Sequence, residues 1–276
     1  MTNWNQMGKF VDCYNPAESN TEYRVQLTPN PSAHTKGSYS EIVSSLPYDI
    51  SGIIASSVAE YYGAHRFFWD IAIGAASSES VIVSNLGHQV QASQWFMGIN
   101  HFIPISIKSG TRVSARVQST YNAVGQWLKV GVHFLRKEFS RNYQISDTYG
   151  AVTASTIGTA IDPGATANTK GSWVELTSGL TRGINAFWLD IDNLHDWART
   201  SCYWAFDIGI GSSGNEVAIV KDFLVSLWNS NDMPMPLNTP IFQIAISSGT
   251  RISARAKCTI TTASDREFGL VLHTLS

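Results

Sequence analysis

Four landmarks occur twice in the same order along this chain, and self-similarity of that kind commits the fold to two copies of one unit. Thr35-Lys36-Gly37-Ser38 returns as Thr169-Lys170-Gly171-Ser172. After it, Tyr39, Glu41 and Leu46 are matched by Trp173, Glu175 and Leu180. FFWDIAIG, ending at Gly74, returns as YWAFDIGIG, ending at Gly211. SGTRVSARV from Ser109 returns as SGTRISARA from Ser248, and VGVHF around His133 is answered by GLVLHT around His273. The offset between partners grows slightly along the chain, as short insertions in surface loops make it do.

The 276 residues leave room for two domains of ordinary size, roughly 100–150 residues each. A first strand can be placed in each copy, because Tyr23–Leu27 and Ser155–Ile161 both lead through a proline-containing stretch into the TKGS landmark. The expected layout is an N-terminal arm at 1–19, a first domain at 20–137, a linker at 138–154 and a second domain at 155–276. The linker is polar and aromatic instead of rich in Gly and Pro, so it is expected to pack on a domain.

Within each copy the landmarks alternate with period two, the pattern of strands half buried against a core. Val113, Ala115 and Val117 fall on one face of their segment and Arg112, Ser114 and Arg116 on the other. The second copy repeats this, with Ile252, Ala254 and Ala256 against Arg251, Ser253 and Arg255. Ile71 and Ile73, like Ile208 and Ile210, share a face. Turn-forming runs such as AASSES and SSGNE separate the strands, which favours antiparallel packing over alternating βαβ units. The fold class read from the sequence is all-β: two tandem jelly-roll-like β-sandwich domains, with one short helix candidate at Val58–Tyr62.

Several motifs invite chemistry and fail on context. Gly209-Ile210-Gly211-Ser212-Ser213-Gly214 has the spacing of a dinucleotide fingerprint, but the next segment, NEVAIVKDF, reads as a strand, where a phosphate site needs a helix N-terminus. The run reads as a hairpin turn. His133 and His273 have no carboxylate or thiol at ligand spacing and read as surface or edge histidines. Asp70 and Asp207 read as ion-pair partners for the repeated arginines, because no second carboxylate recurs in both copies to complete an acid/base pair. No catalytic, cofactor-binding or metal-binding residue is assigned, so the chain is expected not to be an enzyme and to use no cofactor.

Charge narrows the partners. Charged residues make up 14% of the chain against roughly 25% in ordinary domains, and the formal net charge is −2. That balance offers no basic field for nucleic acid, and no apolar run is long enough to span a membrane. The start, MTNWNQMGKF, lacks the layout of a signal peptide. Cys13, Cys202 and Cys258 are too dispersed for a metal site or a disulfide framework and are expected to be buried free thiols.

The paired arginines remain as candidate subunit-interface residues. Arg112 with Arg116, and Arg251 with Arg255, project in parallel roughly 13 Å apart at the usual strand rise. They can grip a neighbouring subunit's carboxylates or brace their own domain against Asp70, Asp207, Glu41 or Glu175. Trp4 and Phe10, on the arm, are further interface candidates, since the arm has no core of its own and is expected to pack on another copy. Trp127, Trp197 and Trp228 sit in polar, loop-like settings, where an exposed indole can stack on a sugar or enter a partner's pocket.

The run from PGATANTKGSWVEL through DIGIG and NEVAIV to PIFQIAISSGTRISARA resembles a domain of structural proteins of tailed bacteriophages, strongly over the second copy and more weakly over the first. The resemblance implies a virion component, assembled in the host cytoplasm, whose partners are other copies of itself and other virion proteins. The leading expectation is therefore a non-enzymatic structural protein of the head or tail, acting through subunit contacts. The alternative is a carbohydrate- or receptor-binding tail adhesin module, with a host surface glycan as partner.

Overall fold

In the computed structural model, residues 13–14, 25–59, 65–90, 98–120, 127–135, 143, 146–150, 158–192, 202–227, 237–261 and 267–276 are described. Among them the regular structure is strand throughout. In the first copy the strands are β1 (Cys13–Tyr14), β2 (Val25–Leu27), β3 (Ser40–Val43), β4 (Gly52–Val58), β5 (His65–Ile73), β6 (Ser80–Val90), β7 (Gly98–Ile103), β8 (Val113–Ser119) and β9 (Leu128–Leu135). In the second they are β10 (Ser146–Tyr149), β11 (Thr159–Ile161), β12 (Val174–Thr177), β13 (Ala186–Asp192), β14 (Cys202–Ile210), β15 (Val217–Leu227), β16 (Ile252–Cys258) and β17 (Phe268–Leu275). Val58, where the sequence suggested a short helix, is the last residue of β4. Its neighbour Ala59 is irregular, and 60–62 lie outside the described residues.

The strand order is that of a jelly roll, in both copies. The first copy pairs β2 and β1 with β9, then β4, then β7, in one sheet, and runs β3-β8-β5-β6 in the other. The second runs β12-β16-β14-β15 in one sheet. In the other, β13 pairs along one edge of β17, and β10 and β11 share its other edge. Bridges from Phe187 to Phe242 and from Asp190 to Asn238 stand where the first copy has β7. The strand pairings are antiparallel, as eight strands wound into two Greek keys require.

Chain contacts divide the molecule into two compact units. The first comprises Met1–Tyr61, Phe67–His88 and Phe96–Ser146, and the second Tyr62–Arg66, Gln89–Trp95 and Asp147–Ser276. The division at 146/147 falls inside the stretch read as a linker, and β10 in that stretch is a strand of the second unit's sheet. Its counterpart is β1, within the expected arm, where Cys13 and Tyr14 pair with Leu135 and Phe134 of β9. This part of the arm therefore lies on its own first unit. The sequence carries the matching signal, since Asp12-Cys13-Tyr14 answers Asp147-Thr148-Tyr149.

Alternation fills each core as expected. Leu128, Val130, Val132 and Phe134 of β9 point inward together with Trp69 and Ile71 of β5 and with Val113, Ala115 and Val117 of β8, all 1% exposed or less. In the second unit Trp204 and Phe206 of β14 meet Phe268 at ring distances of 5.3 and 5.9 Å, in the tilted geometry aromatic pairs prefer. Cys202 and Cys258 are buried in this second core and form no disulfide.

Candidate functional site

The repeated landmarks prove to be one bracing device, built twice on the outer faces of β3-β8-β5-β6 and β12-β16-β14-β15. Register places Asp70 opposite Arg116 and Asp207 opposite Arg255. Asp70 takes the Lys36 ammonium at 2.7 Å, the Arg116 guanidinium at 2.9 Å and the Asn85 backbone N–H at 2.9 Å. Asp207 takes Lys170 at 2.7 Å, Arg255 at 2.9 Å and the Asp222 N–H at 2.9 Å. Burial alone would push the Asp207 carboxyl up, but these donors overcome it and hold it below the ordinary carboxylate range. Burial lowers the Lys36 ammonium to about 8, and Asp70 offsets only part of that.

The second arginine of each pair ties down the same hairpin. Arg112 donates to Glu41 at 2.8 Å, to Glu79 at 3.1 Å and to the Gly74 carbonyl at 3.2 Å. Arg251 donates to Glu175 at 2.8 Å, to Glu216 at 2.8 Å and to the Gly211 carbonyl at 3.3 Å. Arg112, Arg116, Arg251 and Arg255 thus all have carboxylate partners inside their own copy.

The TKGS landmark is explained by the same device. Its lysine reaches the buried aspartate, and its glycine lies where a Cβ would meet the backbone of the preceding loop, 2.7 Å from the Asp162 carbonyl oxygen at Gly171. The aromatic after it lies beneath the arginine, with Tyr39 4.6 Å from the Arg116 guanidinium and Trp173 4.4 Å from that of Arg255. Ring and floor are matched in size. The larger Trp173 covers Gly209, where a Cβ would lie 2.7 Å from the indole, and the smaller Tyr39 goes with Ala72.

The glycine-rich run Gly209–Gly214 is the expected hairpin turn: Gly211 and Gly214 have φ of 122° and 84°, and β15 comes next in the chain. His273 departs from its surface reading. It is fully buried between Thr148 and Asp190, each at 3.1 Å, and stacked on Trp188 at 4.6 Å. The repeat hid this cluster, because Asp190 and Asp192, two carboxylates on one face of β13, occur in the second copy only. Ser56 and Val58 stand at their places in the first. Both aspartates are buried, and Asp192 pairs at 3.3 Å with Arg66, which falls in the same compact unit.

Of the aromatic candidates, Trp127 is half-buried beneath the Lys129 ammonium at 4.7 Å. Trp4, Phe10, Trp197 and Trp228 lie outside the described residues. Two large aromatics are exposed among the described residues: Phe102 on β7, at 42%, and Tyr203, on the outer face of β14 and the more open of the two at 58%, with Leu224 of β15 on the same face at 71%. Leu224 lies opposite Ala205, as does Lys257 on the other flanking strand. The first copy has Arg66, Phe68, Gly87 and Gln118 at the places of Tyr203, Ala205, Leu224 and Lys257, and Arg66, Phe68 and Gln118 are buried. Sequence reasoning passed over Tyr203 because it sought ligand aromatics in loops, and this one stands in a strand among core aromatics.

No family model and no curated protein matches the chain. Among solved structures it is similar to peptide-N(4)-(N-acetyl-β-D-glucosaminyl) asparagine amidase, at 9% identity over 96% of both chains and a TM-score of 0.45. It is likewise similar to PNGase F, a glycosylasparaginase from Flavobacterium meningosepticum, at 8% identity, 96% of both chains and a TM-score of 0.43. The tandem CBM22-1–CBM22-2 domain of Xyn10C from Paenibacillus barcinonensis aligns at 13% identity over 96% of this chain and 91% of its own, with a TM-score of 0.28. The assignment to a tandem β-sandwich rests on the strand order itself. The resemblance to tailed-phage structural proteins is corrected by these findings: no such family matches, and the solved structures alike over 96% of the chain are of another kind. The TKGS, DIGIG and SGTR motifs that carried it are the parts of a bracing device, so they report the scaffold.

Proposed function

We propose that this is a non-catalytic carbohydrate-binding protein whose ligand lies on the outer face of β12-β16-β14-β15, against Tyr203. One observation carries the reading: a tyrosine 58% exposed on a strand paired on both sides. Hydrogen bonds to Thr259 on β16's side, 3.1 Å from the Tyr203 N–H to the Thr259 hydroxyl and 3.1 Å from the Thr259 N–H to the Tyr203 carbonyl, fix its backbone. A flat ring held by a rigid sheet offers the C–H face of a pyranose a platform that needs no ordering on binding. Leu224 extends the apolar area, and Ser226 and Thr259 add hydroxyls at its border. Burial of Asp190 and Asp192 supports the non-catalytic part, since paired carboxylates that work on a glycosidic bond must reach it.

Affinity electrophoresis of the full chain through gels containing neutral soluble polysaccharides tests the reading. Retardation of the wild type that Tyr203→Ala abolishes, with no shortening of the polysaccharide, is expected. A wild type retarded by none of them, or a variant retarded equally, removes the reading.

A further inference from the structure

The ring at Tyr203 has a polar neighbour that the first copy lacks. Lys257 shares its face, and its ammonium lies 3.1 Å from Asp222 Oδ1, which also takes Lys170 at 2.9 Å. Asp222 is held from below as well, at φ 50° with its backbone N–H donated to Asp207. Its side chain is nevertheless 56% exposed, and Lys257's 38%. Among the described residues Oδ2 of Asp222 accepts no hydrogen bond, while the lysines hold its carboxyl below the ordinary range. The face that carries Tyr203 therefore presents one acceptor and one donor further along β14, past Ala205 and Leu224 toward Asp207.

Resting on the carbohydrate-binding reading, we infer that Asp222 and Lys257 form a subsite that reads hydroxyl groups of a neutral pyranose next to the Tyr203 platform, and that the chain carries one such site, in its second copy. A sugar hydroxyl both donates and accepts, so adjacent hydroxyls satisfy Oδ2 and the ammonium together. A uronate fits worse at Asp222, where its carboxylate would face Oδ2 at like charge and give that acceptor no donor. In the first copy Asn85 and Gln118 occupy the two places, and Arg66 stands buried where Tyr203 is exposed. The duplication copied the scaffold without the reader.

Titration calorimetry on the full chain, with neutral oligosaccharides of the retarding polysaccharide and with oligogalacturonate, tests this. Asp222→Asn and Lys257→Gln import the first copy's residues, and Asn85 there holds φ 54° with the same backbone bond to its aspartate, so both variants keep the fold. One neutral ligand per chain is expected, with each variant weakened about tenfold, as losing a hydrogen bond to a charged group does. Oligogalacturonate bound as tightly as the neutral sugar, two ligands per chain, or both variants within about twofold of wild type would overturn the subsite. If Tyr203→Ala still abolishes binding in those cases, the carbohydrate-binding face stands without its polar reader. Binding unchanged in Tyr203→Ala removes both.

Discussion

The two copies agree most closely where they are charged and differ most where they are free to. Asp70 and Asp207 hold a lysine, an arginine and a backbone N–H at the same three distances, 2.7, 2.9 and 2.9 Å. Around these fixed points the first copy carries buried Arg66 and an interior Ser57–His88 pair, where the second has exposed Tyr203, and Ile191 and Val225. A buried charge tolerates little change, since removing any partner strands the others. An apolar position, or one facing solvent, can drift. The polar device therefore records common origin, and the divergent positions are where function is to be sought.

The sharpest way to break that comparison is to remove the two aspartates in turn. Asp70→Asn should destabilise its unit by about 3 kcal/mol, because a lysine and an arginine lose their counter-charge in a largely buried setting, and Asp207→Asn by less, because Lys170 keeps Asp222 at 2.9 Å where the first copy has Asn85. Hydrogen exchange resolved by unit reads both losses. Losses in that order, each confined to the unit that carries the substitution, sharpen the comparison. A loss in one copy only would mean that identical geometry hides different energetics.

Acid should separate the copies. His88 accepts or donates a hydrogen bond at 2.9 Å to Ser57 deep in the first core, and burial, reinforced by nearby His101, lowers it from 6.5 to about 3. A folded-state value below the unfolded one means that the unfolded chain binds the proton first. Stability is then full above about pH 6.5 and falls as pH drops toward 3, by roughly 1 kcal/mol per pH unit. The second unit has Val225 there and no such loss. Between pH 6.5 and 4.5 the first unit's exchange protection should fall by about 2 kcal/mol more than the second's, and Ser57→Ile with His88→Val should remove the difference. A wild type whose units lose protection in parallel would contradict this.

Much of this scaffold was legible from sequence because its parts are local and repeated. TRVSARV and TRISARA display their buried and exposed faces by alternation, and GIGSSG is punctuated as a turn by its glycines. The site was less legible for two physical reasons. Duplication directs attention to what recurs, and Asp190, Asp192, Tyr203 and Asp222 have Ser56, Val58, Arg66 and Asn85 as their partners. Period two gives a strand residue's face but not whether anything covers that face, so Phe68, 0% exposed, and Tyr203, 58%, both lie on outer faces and read alike. The first strand of each copy was missed at Cys13–Tyr14 and Ser146–Tyr149 because so short a strand leaves almost no periodicity.

A smaller effect is expected where the ring meets the sheet. Gly209→Ala places a Cβ 2.7 Å from the Trp173 indole, and overpacking of that kind costs roughly 1–3 kcal/mol. Adding Trp173→Tyr reconstructs the first copy's Tyr39 and Ala72, and should recover most of the loss. The coupling in a double-mutant cycle from thermal melts measures how far ring and floor were matched as a pair. Additive losses would show that they were not.

The smallest effect belongs to an ion pair present in one copy only. Lys108 and Asp49 meet at 3.0 Å with side chains 86% and 60% exposed, and the second copy has Ser247 and Gly183 in their places. The backbone is the same without them: Ile50 and Ile107 exchange hydrogen bonds at 2.9 and 3.1 Å, and Ile184 and Ile246 at 2.8 and 3.0 Å. Asp49 is held low first by the Ser109 backbone N–H and only then by Lys108, so deleting the lysine leaves its main partner in place. Water screens such a pair, and ordering a long lysine side chain offsets what attraction remains. Lys108→Ser should therefore leave the melting temperature unchanged, at low salt as at high. A melting temperature that falls at low salt and recovers at high salt would show that the pair stabilises the turn after all, and that the second copy holds the same turn by a contact of its own, such as the Ser248 hydroxyl on the Leu180 carbonyl at 3.4 Å.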